Sequence, residues 1–164
     1  MVRSTTDRGG DGSLRLELYA RRDAFGARTQ QQRLFERVRR LEGRSGIEGT
    51  RVQRWPDRII ADETTAVLGL VREFETWAME HDRSLEPCFG RREVEPGFAD
   101  ERYEQIVLPI VCLAVYRDGR LDRVAPHVDG GRPYTVPDCI AELEERPDVS
   151  DDGPPRHSDT LVSR

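Results

Sequence analysis

Three arginines, Arg33, Arg37 and Arg40, recur at i, i+4 and i+7, with Arg39 and Arg44 close by. On a helix that spacing makes one cationic stripe, and guanidinium groups in a row can grip the phosphates of a nucleic acid. The same stripe also suits a solvated helix face, and Glu36 and Glu42 dilute its field. A second cationic group, Arg91 and Arg92 followed by Glu93, could hold a carboxylate or phosphate in the fork of a guanidinium, or be ordinary charged surface. His127 lies near Asp129 and could act as a general base only with a nucleophile or water in reach and an orienting partner. No serine-elbow, zinc-helix or phosphate-loop motif accompanies it. His81 and His157 are too scattered to complete a metal site. The expectation is no catalytic residue, no metal and no cofactor.

The cysteines are Cys88, Cys112 and Cys139, odd in number and without a C-x-x-C pair. Cys112 falls in an apolar strand and Cys139 in a helix, where each serves as a small buried hydrophobe. Cys88, in a loop beside Pro87 and Phe89, is the one thiol open to a reactive role.

These residues need a frame. The chain has 164 residues, 36% hydrophobic and 35% charged, enough for one small domain. All 26 basic residues are arginine, and 31 acidic residues leave a net charge of −5. That balance lacks the overall basic footprint of a typical nucleic-acid binder, so any such site must be a local patch. It suits a salty cytoplasm, where phosphate contacts are weakened by screening. No apolar run approaches the roughly 20 residues of a membrane helix, and residues 1–12 lack the apolar core of a signal peptide. A cytoplasmic protein is expected, with no membrane partner.

Leu14, Leu16, Leu18 and Ala20 alternate with polar residues, which predicts a strand with one apolar face. Thr29 to Gln32 reads as a capping box opening a helix to about Glu42, with Leu34, Val38 and Leu41 on its core side. Thr50 to Ile60 is extended but broken at Pro56-Asp57, either ending the strand at Trp55 or turning a hairpin into residues 58–61. Val67, Leu70, Val71, Phe74, Trp77 and Ala78 predict a helix over 63–81, with Asp62 as cap. Residues 84–105 read as a long loop, with a short helix near 99–105. Ile106 to Tyr116 is apolar on both alternations, a strand covered on both faces. Asp118-Gly119 predicts a tight hairpin to a strand over 121–128. A last helix opens near Thr135–Asp138, with Pro137 in its first turn. Residues 1–12 and the Pro- and Asp-rich 147–164 read as disordered, leaving one α/β domain over 13–146 with a single mixed sheet.

The last sixty residues resemble the C-terminal half of a thioredoxin-like fold, in which a proline precedes an apolar strand, a tight turn, an edge strand and a closing helix. The matching pieces are Pro109, Ile110 to Tyr116, Asp118-Gly119, Leu121 to Ala125 and the helix from Val136. The resemblance makes Pro109 the cis proline. Where its redox cysteines would stand, this chain has Arg22-Asp23-Ala24-Phe25-Gly26. Thiol–disulfide exchange by the usual route therefore has no thiolate to start it. Should Pro56-Asp57 turn a hairpin, the first half instead fits a ferredoxin-like α+β sandwich.

The segments LRLELYARR, RLFERVRRLEG with VQRW, FGRREV, and LPIVCLAVYRDGRLDRVAPHVDG cover most of residues 14–145. They resemble a group of small proteins of halophilic archaea described by the label "helix-turn-helix domain". That resemblance implies a non-enzymatic, regulatory role linked to transcription, with a DNA or protein partner. The label itself needs two helices joined by a turn of a few residues, whereas a Gly-rich loop and a strand follow the first helix here. The alternative is a thioredoxin-type redox relic or enzyme built around Cys88.

Overall fold

The computed structural model describes residues 13–22, 26–44, 46–62, 64–95, 97 and 102–146. The terminal stretches expected to be disordered, His157 and most of the 22–26 segment lie outside the described residues. The elements in chain order are β1 (Leu14–Arg21), α1 (Arg28–Leu41), β2 (Ile47–Trp55), β3 (Arg58–Ile60), α2 (Ala66–Glu80), β4 (Gly90–Val94), β5 (Tyr103–Val107), β6 (Val111–Arg117), β7 (Arg120–Ala125), β8 (His127–Asp129), β9 (Arg132–Tyr134) and α3 (Val136–Glu145). No described helix is long and apolar enough to cross a membrane.

The main sheet runs β2-β1-β6-β7. β1 is parallel to β2, as a crossover through α1 requires, and antiparallel to β6; β7 returns antiparallel beside β6. This is the expected α/β class with a mixed sheet. Strand periodicity decides what each face buries. Leu14, Leu16 and Leu18 of β1 and Val111, Leu113 and Val115 of β6 point to α1 and α3, meeting Leu34, Val38, Leu41, Ile140 and Leu143. The alternate positions, Tyr19, Cys112, Ala114 and Tyr116, point to α2 and meet Leu68, Val71, Phe74 and Trp77. Both alternations of β6 are therefore buried, as its sequence predicts. Each fully buried side chain of this kind contributes about 1.5–3 kcal/mol.

Asp118 and Gly119 both take positive φ, 50° and 82°, the left-handed pair that the tight β6–β7 turn needs. α3 opens with a capping box: the Thr135 hydroxyl accepts from the Asp138 amide at 3.2 Å, and the Asp138 carboxylate accepts from the Thr135 amide at 3.0 Å.

Several expectations are corrected. α1 begins at Arg28 with Ala27 as its uncapped N-terminus, so the Thr29–Gln32 box does not form. Gln31, in the same turn, is buried and donates to the Ile110 carbonyl at 3.2 Å, a tertiary bond that fastens the start of the helix. α2 is capped by Thr65, whose hydroxyl accepts from the Leu68 amide at 3.1 Å, rather than by Asp62. Pro56-Asp57 does end β2 at Trp55, but β3 beyond it pairs with β5, so no hairpin forms and the basis for the ferredoxin-like alternative is gone. The expected loop 84–105 holds β4, and β5 stands where a short helix was expected; together with β3 they make a second, antiparallel sheet in the order β3-β5-β4. The strand read as 106–116 is split by Leu108–Ile110. The Leu108–Pro109 peptide is trans, and among the described residues the cis prolyl bonds are Glu86–Pro87 and Ala125–Pro126. β7 stops at Ala125, and the chain then folds a small β8–β9 hairpin across Gly130-Gly131.

Candidate functional site

The arginine stripe of α1 divides into two kinds of residue. Arg37 leans against α3, where its Nε and Nη2 donate to the two carboxylate oxygens of Glu144 at 3.2 and 2.7 Å. That bidentate fork is the strong form of an ion pair, and it holds the Glu144 carboxyl below its usual range. Arg44 completes the clamp by donating to the Glu144 and Arg146 carbonyls at 2.6 and 2.7 Å, at the end of α3 where helix carbonyls lack partners. Arg33 and Arg40 lie on the exposed ridge between the flanks of α1. Among the described residues neither makes a hydrogen bond or close ion pair, although Arg40 stands near enough to Glu144 to act on its charge.

The Arg91–Arg92 pair splits in the same way. Arg91 donates to Glu104 at 2.6 Å and also bonds Glu75. It thereby ties β4 to β5 and to α2. Arg92 is exposed on β4 with no bonded partner among the described residues. The stripe and the pair thus come down to three outward cations, Arg33, Arg40 and Arg92, and two that fasten the fold.

Cys88 is half-buried, and burial pushes its thiol up. A nucleophilic thiolate needs the opposite direction. Cys112 and Cys139 are buried, and burial raises both, Cys139 to about 11.

The histidine that the sequence offers as a base sits in a built cleft. The end of α2, β7, the β8–β9 hairpin and α3 surround a space of about 490 Å³. Rings line part of it, among charged side chains: His127 stacks on Tyr134 at 4.7 Å between centroids and stands 5.3 Å from Trp77, which in turn stacks on His81 at 5.1 Å. His127 is only 5% exposed. Its Nδ1 lies 2.6 Å from the Val124 carbonyl. A carbonyl can only accept, so Nδ1 carries the proton and Nε2 the lone pair in the neutral ring. Burial pulls the imidazole below its ordinary range, opposed by the bond to the Val124 carbonyl and by Asp129, with Arg83 and Arg123 adding to the shift. Asp129, its neighbour in sequence, pairs with Arg83 at 3.3 Å.

Sequence reasoning found His127 but not its surroundings. Trp77 belongs to the apolar ladder of α2 and reads as core, which it also is. Tyr134 and Arg123 come from other strands. The one available signal was the Trp77–His81 spacing of i, i+4, which stacks two rings on one helix flank. Among the described residues, no group of three or more His, Cys, Asp or Glu side chains is placed to hold a metal ion.

Among the described residues every pair of consecutive helices is separated by at least two strands, so no bihelical unit with a short turn is present there. No curated protein matches the chain. No solved structure matches it either. A family model described as "Helix-turn-helix domain" matches residues 9–148, a span that takes in every element from β1 to α3. The chain belongs to this helix-turn-helix domain family.

Proposed function

We propose that the protein is a non-enzymatic regulatory protein that contacts DNA phosphates through the outward arginines of α1. The observation that carries this reading is that Arg33 and Arg40 stay exposed and unbonded among the described residues, in a chain of the helix-turn-helix domain family. Cations with no internal partner are free to neutralise phosphate, and each such contact releases counterions. Arg37 does a different job, since its fork to Glu144 fixes α3 against α1. Arg92 stands ready to extend the contact surface or to meet a protein partner.

The frame we assign to this role is thioredoxin-like. Supporting it are the order β2-β1-β6-β7, the parallel β1–β2 pair, α1 and α3 on one face and α2 on the other. The raised thiol of Cys88 argues against a redox relic. The trans Leu108–Pro109 peptide departs from the resemblance at its most specific point.

The test is a salt titration of duplex DNA binding. The wild-type chain is expected to bind with a negative log–log salt slope. Replacing Arg33 and Arg40 together by alanine is expected to weaken binding and reduce that slope by about 2, one per phosphate contact. Arg37→Ala should leave the slope alone. An unchanged slope in the double variant, or no salt-dependent binding by the wild type, removes the proposal.

A further inference from the structure

We infer that the cleft between α2, β7, the β8–β9 hairpin and α3 is a binding site for a small uncharged molecule bearing a hydroxyl or N–H donor, with His127 Nε2 as its acceptor. The inference stands apart from the DNA reading and uses none of the outward arginines.

The shape comes first. A space of about 490 Å³ falls in the ordinary range for small-molecule sites. The polar atoms of its rings are already engaged. The Trp77 indole N–H donates to the Asp122 carbonyl at 2.9 Å, and the Tyr134 hydroxyl bonds Glu142 and accepts from Arg123 at 3.4 Å. Their faces are engaged too, with Trp77 5% exposed and stacked on His81 and Tyr134 stacked on His127, so neither ring offers an occupant a free donor or acceptor.

Charge comes second. The cations lining the space already face carboxylates: Arg83 pairs with Asp129 at 3.3 Å, and Arg123 with Glu142 at 2.9 Å and Asp122 at 3.2 Å. An ionic ligand would have to break one of these pairs, whereas an uncharged one would not.

The acceptor comes third. His127 is 5% exposed, its Nδ1 is committed to Val124, and its Nε2 has no partner among the described residues. Nε2 is not fully sealed from solvent, and His127 lines the cleft, so the atom opens onto that space. A buried lone pair with one open side accepts a hydrogen bond from whatever fills that side. The Nε2 of His81 differs because His81 is exposed at the mouth, where water serves it.

The probes are phenol and toluene, equal in ring size and differing in the donor. Binding is followed by NMR shifts of the His127 imidazole and Trp77 indole protons. Phenol is expected to bind about tenfold more tightly than toluene, the worth of one hydrogen bond. Anisole, which can accept but not donate, should bind no better than toluene near neutral pH and gain on it as pH falls and protonated Nε2 becomes a donor. The groups that face the imidazole through this titration are His81 and Arg83 at the end of α2, Asp122 and Arg123 of β7, Asp129 of β8, Tyr134 of β9 and Glu142 of α3. His127→Phe should bring the phenol-to-toluene ratio to about 1; should that variant not fold, the pH series on the native protein decides. Equal affinity for the two probes near neutral pH overturns the acceptor role. Absence of binding by either probe at millimolar concentration overturns the site.

Discussion

The two faces of the main sheet bury similar numbers of side chains by different chemistry. Toward α1 and α3 the fully buried residues are aliphatic: Leu14, Leu16, Leu18, Val38, Leu113, Val115, Ile140 and Leu143. Toward α2 aliphatic residues such as Val71 and Leu108 are joined by a cluster of rings, with Tyr19 stacked on Trp55 at 5.0 Å, Phe74 edge-on to Tyr19 at 6.2 Å and Phe89 edge-on to Trp55 at 6.0 Å. The rings bring polar atoms with them, and those atoms are bonded. The Tyr19 hydroxyl donates to Glu17 at 2.9 Å, the Trp55 indole to the Pro109 carbonyl at 3.1 Å, and the Tyr116 hydroxyl to Glu73 at 2.8 Å. Glu17 itself is buried and also accepts from Arg15 and Gln53, at 2.9 and 3.1 Å. An aliphatic face is held by volume, and an aromatic face by volume plus direction. The second kind defines where its neighbours sit, and the His127 cleft lies at its margin, walled in part by Trp77.

Substitutions can break or sharpen that contrast. Phe74→Ala should cost the most, about 4 kcal/mol, because Phe74 is fully buried between two other rings; chemical denaturation measures it, and a loss below about 2 kcal/mol would mean the face can collapse around the gap. Tyr19→Phe keeps the ring and removes one donor to Glu17, for an expected loss of about 1–2 kcal/mol in the same measurement. Leu18→Met, the corresponding volume-conserving change across the sheet, should cost about 1 kcal/mol or less. A Leu18→Met loss larger than that of Tyr19→Phe would erase the distinction between the faces. Arg37→Ala should cost under about 1 kcal/mol near neutral pH, since the pair is partly exposed. Its clearer signature is pH dependence. Glu144 titrates below its usual range when folded, so its contribution is present above the unfolded carboxylate range and is lost as pH falls through the folded value. The variant should lose that acid-side slope, which denaturation midpoints across the acid range would reveal.

The same contrast explains what could be read from the sequence. The aliphatic face was legible because period-two runs in β1 and β6 and period-3.6 runs in α1 and α3 mark it directly. α2 was legible from its ladder. The second sheet was not: β4 and β5 are short and charged, and Arg91 is stabilised there by Glu75 and Glu104, partners a strand pattern does not encode. The polar side of β1 carries no core signal, yet Glu17 is 8% exposed, because three side chains supply its donors. The cleft was invisible for a related reason. Its residues come from five elements, and only the tertiary arrangement brings the rings together.

α3 is gripped on both flanks by residues two apart. Glu142 bonds Tyr134 and Arg123 beside the cleft, and Glu144 is forked by Arg37 of α1. Such a short rod has no slack between its two moorings. Any sideways slip must stretch one fastening or the other, which puts the hairpin end of the molecule and the outer ridge of α1 mechanically in series.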